Sequence, residues 1–145
     1  MLQGIEIIFA DRDAMLQSLK KQSYETRMRD FLAEHGHYFV EMKEYVDQAG
    51  DGEKAAIEIG ECIAHAAGTC KNKKGKLDAK TKSQLNLFMV YYVFPAILKQ
   101  GEGSKVLADG VLKVWRTVFK NKEMQYTDYE TLYHGFREKI FGIFG

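Results

Sequence analysis

The chain has 145 residues, of which 46% are hydrophobic and 28% are charged, with a formal net charge of +1 and a single proline. This length and composition exclude a disordered or low-complexity chain and predict one globular domain, residues 1–145. Because the net charge is close to zero, the overall charge of the protein does not predict binding to a polyanion such as nucleic acid.

The first ten residues contain a short apolar run of ambiguous periodicity. Ile5, Ile7 and Phe9 alternate as in a strand, but the run has no obvious partner strand. We therefore expect residues 1–10 to form an extended arm or a short first helical turn. The run includes an acid and follows no basic residue, so we do not expect a signal peptide.

Three helices are predicted in the acidic part of the chain that follows. Asp11 or Asp13 can cap the first helix, which should end near Gly36. The second should continue to a glycine-rich turn, where Asp51 can cap the third. The apolar face predicted for the third helix consists mainly of small side chains: Ala56, Ile59, Ile63, Ala66 and Ala67.

A polar, lysine-rich loop at residues 68–77 leads into the most apolar helix of the chain, residues 78–100. Either Asp78 or a Thr81 to Gln84 capping box can start this helix, and Pro95 should kink it. Residues 85–98 are apolar on nearly every side, so they must be enclosed by protein or lipid, and they are too short to span a bilayer. We expect this segment to be the central helix of the fold.

Two further helices complete the predicted architecture. The core side of the fifth helix should include Val106, Trp115 and Val118, and Thr127 with Glu130 forms a capping box for the sixth. The sequence therefore predicts an all-α, single-domain bundle of about six helices around the central apolar helix.

Cys62 and Cys70 are the only cysteines. On one helix they would lie about 12 Å apart, which is too far for a disulfide. We expect reduced thiols and a cytoplasmic protein.

Charge is distributed unevenly along the chain. Residues 1–70 carry 7 Lys or Arg against 13 Asp or Glu, a net of −6, whereas residues 71–145 carry 14 against 7, a net of +7. The two halves should attract each other within the bundle or provide acidic and basic surfaces for partners. The lysine-rich stretch 71–82 lacks arginine and interleaved aromatics, which argues against nucleic-acid binding and leaves anion binding open.

Three candidate metal ligands share one face of the third predicted helix: Glu58, Glu61 and His65. They point away from the apolar stripe, so they are expected to be ordinary exposed side chains. Glu34 and His37 have the Glu-x-x-His spacing of di-iron helices, but Gly36 should break the helix between them. We therefore expect no metal and no cofactor. Catalytic motifs are also missing from the sequence, which favours a protein that is not an enzyme.

Aromatic side chains near Pro95 provide the candidate ligand pocket. Buried tyrosines need hydrogen-bond partners, and a cluster beside a proline kink is a place where a bundle can leave a cavity. The residues predicted to line it, between the central and C-terminal helices, are Tyr91, Tyr92, Trp115 and Tyr133. A small apolar molecule is the expected ligand of such a pocket.

The C-terminal helix carries more apolar surface than one contact with the core would cover. Four of its residues are candidates for a dimer interface: Phe136, Ile140, Phe141 and Phe144. We therefore expect a non-enzymatic binding or interaction module whose partner is a second copy, or else another protein. The alternatives are a small-molecule-binding bundle and a metal-dependent enzyme that uses carboxylate and histidine ligands.

Overall fold

The computed structural model describes residues 2–18 and 21–119, and this part of the chain is all-helical, as predicted. The α-helices are α1 Leu2–Ala10, α2 Arg12–Ser18, α3 Tyr24–Gln48, α4 Gly52–Gly68, α5 Ala79–Phe88, α6 Phe94–Leu98 and α7 Ser104–Phe119. A π-helical segment, Met89–Val93, joins α5 to α6, so these elements form one continuous helix. The sixth predicted helix lies outside the described residues.

The N-terminal segment is a helix of two and a half turns, so the extended arm was wrong, and the helical alternative holds but is longer than one turn. α1 buries Ile5, Ile8 and Phe9, whereas Ile7 is 45% exposed. Positions 5, 8 and 9 share one face of a helix, a pattern that the strand-like alternation concealed. The ring of Phe9 packs edge-on against Phe88 with 5.3 Å between centroids, which places α1 in the core.

The predicted helix end at Gly36 was also wrong, because α3 runs without a break through this residue. The break lies earlier, before Tyr24, where the Ser23 hydroxyl accepts a hydrogen bond from the backbone N–H of Thr26 at 3.3 Å. A glycine inside a helix costs about 1 kcal/mol. Phe31 and Phe39 flank it and are fully buried, with their ring centroids 5.8 Å apart, and their burial outweighs that cost.

α4 and α7 share the most extensive helix–helix contact of the described chain. Asp51 caps α4 as predicted, accepting a hydrogen bond from the backbone N–H of Lys54 at 3.1 Å. The predicted small-residue face is buried. At Gly110 of α7, an added Cβ would lie 2.5 Å from the Cβ of Ala56, so the two backbones approach too closely for a larger residue.

The central helix is enclosed along most of its length, and Asp78 caps it as predicted. Pro95 has no N–H to donate, and the backbone N–H of Phe94 bonds to the carbonyl of Met89, five residues earlier. This wider turn is the π-helical segment that accommodates the proline. Leu87 and Tyr91 are exceptions to the enclosure, at 45% and 37% exposure.

The core side of α7 is narrower than predicted. Trp115 and its neighbours on one face are buried, but Val106 and Val118 are 39% and 55% exposed. Both valines were expected to face the core.

Candidate functional site

The loop between α4 and α5 is organised by Asn72. Its side-chain carbonyl accepts hydrogen bonds from the backbone N–H groups of Lys74 and Lys76, both at 2.9 Å, and its amide donates to Asp78 at 2.7 Å. Gly75 has a φ of +76°, and its N–H donates to the backbone carbonyl of Asn72 at 2.9 Å. These contacts hold the loop in one conformation, whereas its composition alone suggested a simple basic loop.

Asp78 joins this loop to the central helix. Its Oδ1 accepts hydrogen bonds from the backbone N–H of Thr81 at 2.9 Å and from the Thr81 hydroxyl at 2.7 Å. Hydrogen bonds from Thr81, and then from Asn72, lower the pKa of Asp78 below its ordinary value. The charged carboxylate is therefore the form that holds the loop against α5.

A cleft of about 500 Å³ lies between α2, this loop and α5. Asp13 and Asp78 contribute carboxylates to its lining, but cations dominate. They are Arg12, Lys71, Lys73, Lys74 and Lys80. Within residues 2–18 and 21–119, no carboxylate forms an ion pair with the four lysines. We call this feature the basic cleft.

Several backbone donors beside the basic cleft, of the kind that phosphate sites use at helix N-termini and in glycine-rich turns, are already engaged. The N–H groups of Lys74, Gly75 and Lys76 already donate to Asn72, and the N–H of Thr81 donates to the cap. Its remaining donors include ammonium groups on long, flexible side chains. Such side chains can contact either phosphate groups or the carboxylates of an acidic protein surface.

The outer face of α3 carries the opposite charge. Its exposed acids include Asp30, Glu34, Glu41 and Glu44. Val40 and Tyr45, beside the last two acids, are 43% and 41% exposed. The Tyr45 hydroxyl donates to Glu58 at 2.6 Å, and this hydrogen bond raises the pKa of Tyr45 above its ordinary value. We call Val40, Glu41, Glu44 and Tyr45, which are neighbours on one helix face, the acidic patch.

The metal candidates predicted from the sequence do not form a ligand set in the described residues. Glu61 and His65 are exposed, and Glu58 accepts the hydrogen bond from Tyr45. A different set comes together: side-chain ligand atoms of Asp11, Glu34 and His35 all lie within 4.8 Å of one another.

His35 is the buried member of that set, with 1% of its side chain exposed. Its Nε2 lies 2.9 Å from Oδ2 of Asp11, which is in the turn between α1 and α2. The two atoms are close enough for an ion pair, but they are not aligned for a hydrogen bond. Both imidazole nitrogens therefore lack a hydrogen-bond partner. Sequence reasoning missed this set because it paired Glu34 with His37, which is exposed.

Two residues predicted to line an aromatic pocket are used in the core. The Tyr92 hydroxyl donates to the backbone carbonyl of Met15 at 2.6 Å, and burial raises the pKa of Tyr92. The Trp115 indole N–H donates to Oδ1 of Asn86 at 2.7 Å. Both polar groups are therefore satisfied without a ligand.

The remaining predicted site residues fall into two groups. Tyr91 is partly exposed on the central helix. Tyr133 and the proposed dimer residues lie outside the described residues: Phe136, Ile140, Phe141 and Phe144. The aromatic pocket and the C-terminal interface stay predictions.

Cys62 and Cys70 are free thiols, as expected. Burial is the main cause that raises the pKa of each thiol above its ordinary value. A raised pKa disfavours the thiolate that nucleophilic catalysis requires.

Comparison with known proteins adds no relative. The chain matches no protein family, and it has no significant match among curated proteins or solved structures. None of the helices described is long and apolar enough to cross a membrane.

Proposed function

We propose that the protein is a non-enzymatic interaction module that pairs with a second copy of itself. In the pair, the acidic patch on α3 of one copy contacts the basic cleft of the other. The observation that supports this proposal is the separation of charge: cleft lysines without ion-pair partners and exposed acids on a different helix.

Charge complementarity of this kind steers association and fixes orientation more than it adds affinity. Affinity then needs apolar contact area inside the charged rim. Val40 and Tyr45 supply such area within the acidic patch, and Tyr45 is a residue type enriched at interfaces. The combination of exposed apolar side chains and carboxylates favours a protein contact.

A second copy is the partner that carries both surfaces. Two-fold pairing brings the patch of each copy to the cleft of the other, so the same contact forms twice. Residues 1–70 and 71–145 have net charges of −6 and +7, which gives each copy similar amounts of both signs. A dimer interface at Phe136, Ile140, Phe141 and Phe144 is a separate prediction, made from the sequence alone.

Sedimentation velocity at micromolar concentration tests the proposal. We expect a dimer at roughly 20 mM salt that dissociates at roughly 500 mM, because salt screens exposed charges. Lys73→Glu with Lys74→Glu should give a monomer at both salt concentrations. The matched control, Lys113→Glu with Arg116→Glu on the exposed side of α7, should remain dimeric at low salt.

Two results would overturn the charge-based contact. One is a wild-type protein that is monomeric at low salt. The other is a dimer that resists both high salt and the Lys73→Glu, Lys74→Glu substitutions, which would move the interface to apolar surface such as the predicted C-terminal interface.

A further inference from the structure

We infer that Asp11, Glu34 and His35 form a binding site for a divalent first-row metal ion such as Zn²⁺. This site is independent of the proposed pairing surfaces. It joins the turn between α1 and α2 to the middle of α3.

The set combines one buried imidazole with two carboxylates that are accessible to solvent. The imidazole of His35 is 1% exposed, Asp11 is 39% exposed, and Glu34 is exposed. An ion can therefore approach through the carboxylates and reach the histidine beneath them. Glu34 and His35 are adjacent in the sequence, so only Asp11 has to be supplied by a distant element.

The distances suit a shared ion. With metal–ligand bonds of about 2.1 Å, two neighbouring ligand atoms lie about 3.0 Å apart in octahedral and about 3.4 Å apart in tetrahedral geometry. Nε2 of His35 and Oδ2 of Asp11 are 2.9 Å apart. All three ligand atoms lie within 4.8 Å of one another, and Glu34 is exposed, so its carboxylate can move to close the set.

The buried histidine is the observation that distinguishes this set from an ordinary surface cluster. Neither imidazole nitrogen has a hydrogen-bond partner, although the ring is almost fully enclosed and packs edge-on against Phe31 at 5.3 Å between centroids. Buried polar atoms in folded proteins nearly always have a partner. A metal ion bound at Nε2 would supply one.

The ligand types select the class of ion. Mg²⁺ and Ca²⁺ prefer oxygen ligands alone, whereas an imidazole with carboxylates suits Zn²⁺, Mn²⁺ or Fe²⁺. Asp11 is fixed by its backbone, since its N–H donates to Ile8 at 3.2 Å and its carbonyl accepts from Met15 at 3.1 Å. A bound ion would therefore fasten a rigid turn to α3 and stabilise the folded chain.

Isothermal titration of the purified, chelator-treated full chain with ZnCl₂ tests the site, with thermal melting as the second measurement. We expect one equivalent to bind and to raise Tm, with MgCl₂ having a much smaller effect. Glu34→Gln should weaken Zn²⁺ binding at least about tenfold while leaving the metal-free Tm close to wild type, because Glu34 is exposed. Asp11→Asn should weaken binding similarly.

The matched control is Glu61→Gln with His65→Gln, which removes an exposed carboxylate and an exposed imidazole from α4. It should keep the full equivalent and the full rise in Tm. The inference is overturned if Zn²⁺ shows no saturable binding at millimolar concentration, or if the control loses binding and Glu34→Gln keeps it. Because the titration reports metal binding directly, its failure leaves the sedimentation result unaffected.

Discussion

Asp78 is the single residue on which both the loop conformation and the start of the central helix depend. Replacing it by Ala removes the acceptor for Thr81 and for the Asn72 amide. We expect Asp78→Ala to lower Tm by roughly 2 to 5 °C, the usual effect of losing a helix cap. Differential scanning calorimetry measures it, with Asp30→Ala on the exposed face of α3 as a control that should change little.

The contribution of Asp78 should also depend on pH. Its folded-state pKa lies below the ordinary carboxyl value of 3.8, so the stabilisation is complete above that value and is lost as pH falls through the lower, folded pKa. The difference in Tm between wild type and Asp78→Ala should therefore shrink at strongly acidic pH. A difference that grows on acidification would contradict this account.

Residue-level prediction from the sequence succeeded where the contact is local. Asp51 and Asp78 were identified as caps because each bonds a backbone N–H three residues later, and that spacing is visible in the sequence. The contact between Asp11 and His35 joins two elements that only the fold brings together. No rule of sequence spacing predicts this contact, and the Glu-x-x-His spacing indicated His37 instead of His35.

At the scale of single helices, Gly36 tests the continuity of α3. An added Cβ there would meet only Leu32 side-chain atoms, at 3.8 Å and beyond. If α3 is one helix, Gly36→Ala should raise the free energy of unfolding by about 0.5 to 1 kcal/mol. Urea denaturation measures this change, and Ala33→Gly on the same helix should lower the free energy by a similar amount. A destabilising Gly36→Ala would indicate a helix break.

At the contact between α4 and α7, replacing Gly110 by Ala should lower the free energy of unfolding, the opposite of the effect expected at Gly36. The Cβ of Gly110→Ala would lie 2.5 Å from the Ala56 Cβ and 2.9 Å from the Ala56 backbone carbonyl carbon, so the helices must separate. We expect a loss of about 1 to 3 kcal/mol in urea denaturation. Gly68→Ala, whose added Cβ has no neighbour within 4 Å, is the control and should be close to neutral. Equal stability of the two variants would contradict the close packing.

The two helix-level errors share a physical cause. The run that contains Ile5, Ile7, Ile8 and Phe9 is compatible with both strand and helical periods, and packing against the core selected the helical one. Gly36 has an intrinsic tendency to interrupt a helix, but buried rings on both sides overrode it. In both cases tertiary burial, which a local pattern does not contain, decided the outcome.

At the scale of the whole molecule, the sequence showed the division of charge but not the basic cleft. The cleft forms because α2 lies beside the 69–78 loop, and these two segments are far apart in the sequence. It also depends on Asn72, whose side chain fixes the turn within that loop. The residues of the acidic patch all follow Gly36, so their clustering on one helix face is local, and only the placement of that face away from the basic cleft depends on the fold. The uneven charge of the sequence forms a basic cleft only because tertiary contacts place α2 beside the loop.

Mixing two charge-reversed proteins tests the proposed pairing most directly. One variant carries Glu41→Lys and Glu44→Lys, which makes both of its surfaces basic. The other carries Lys73→Glu and Lys74→Glu, which makes both acidic. Each should sediment as a folded monomer alone at low salt, since both of its contacts become repulsive. An equimolar mixture should form a one-to-one dimer, because both contacts are attractive again. If the mixture remains monomeric while wild type dimerises, the acidic patch and the basic cleft do not contact each other.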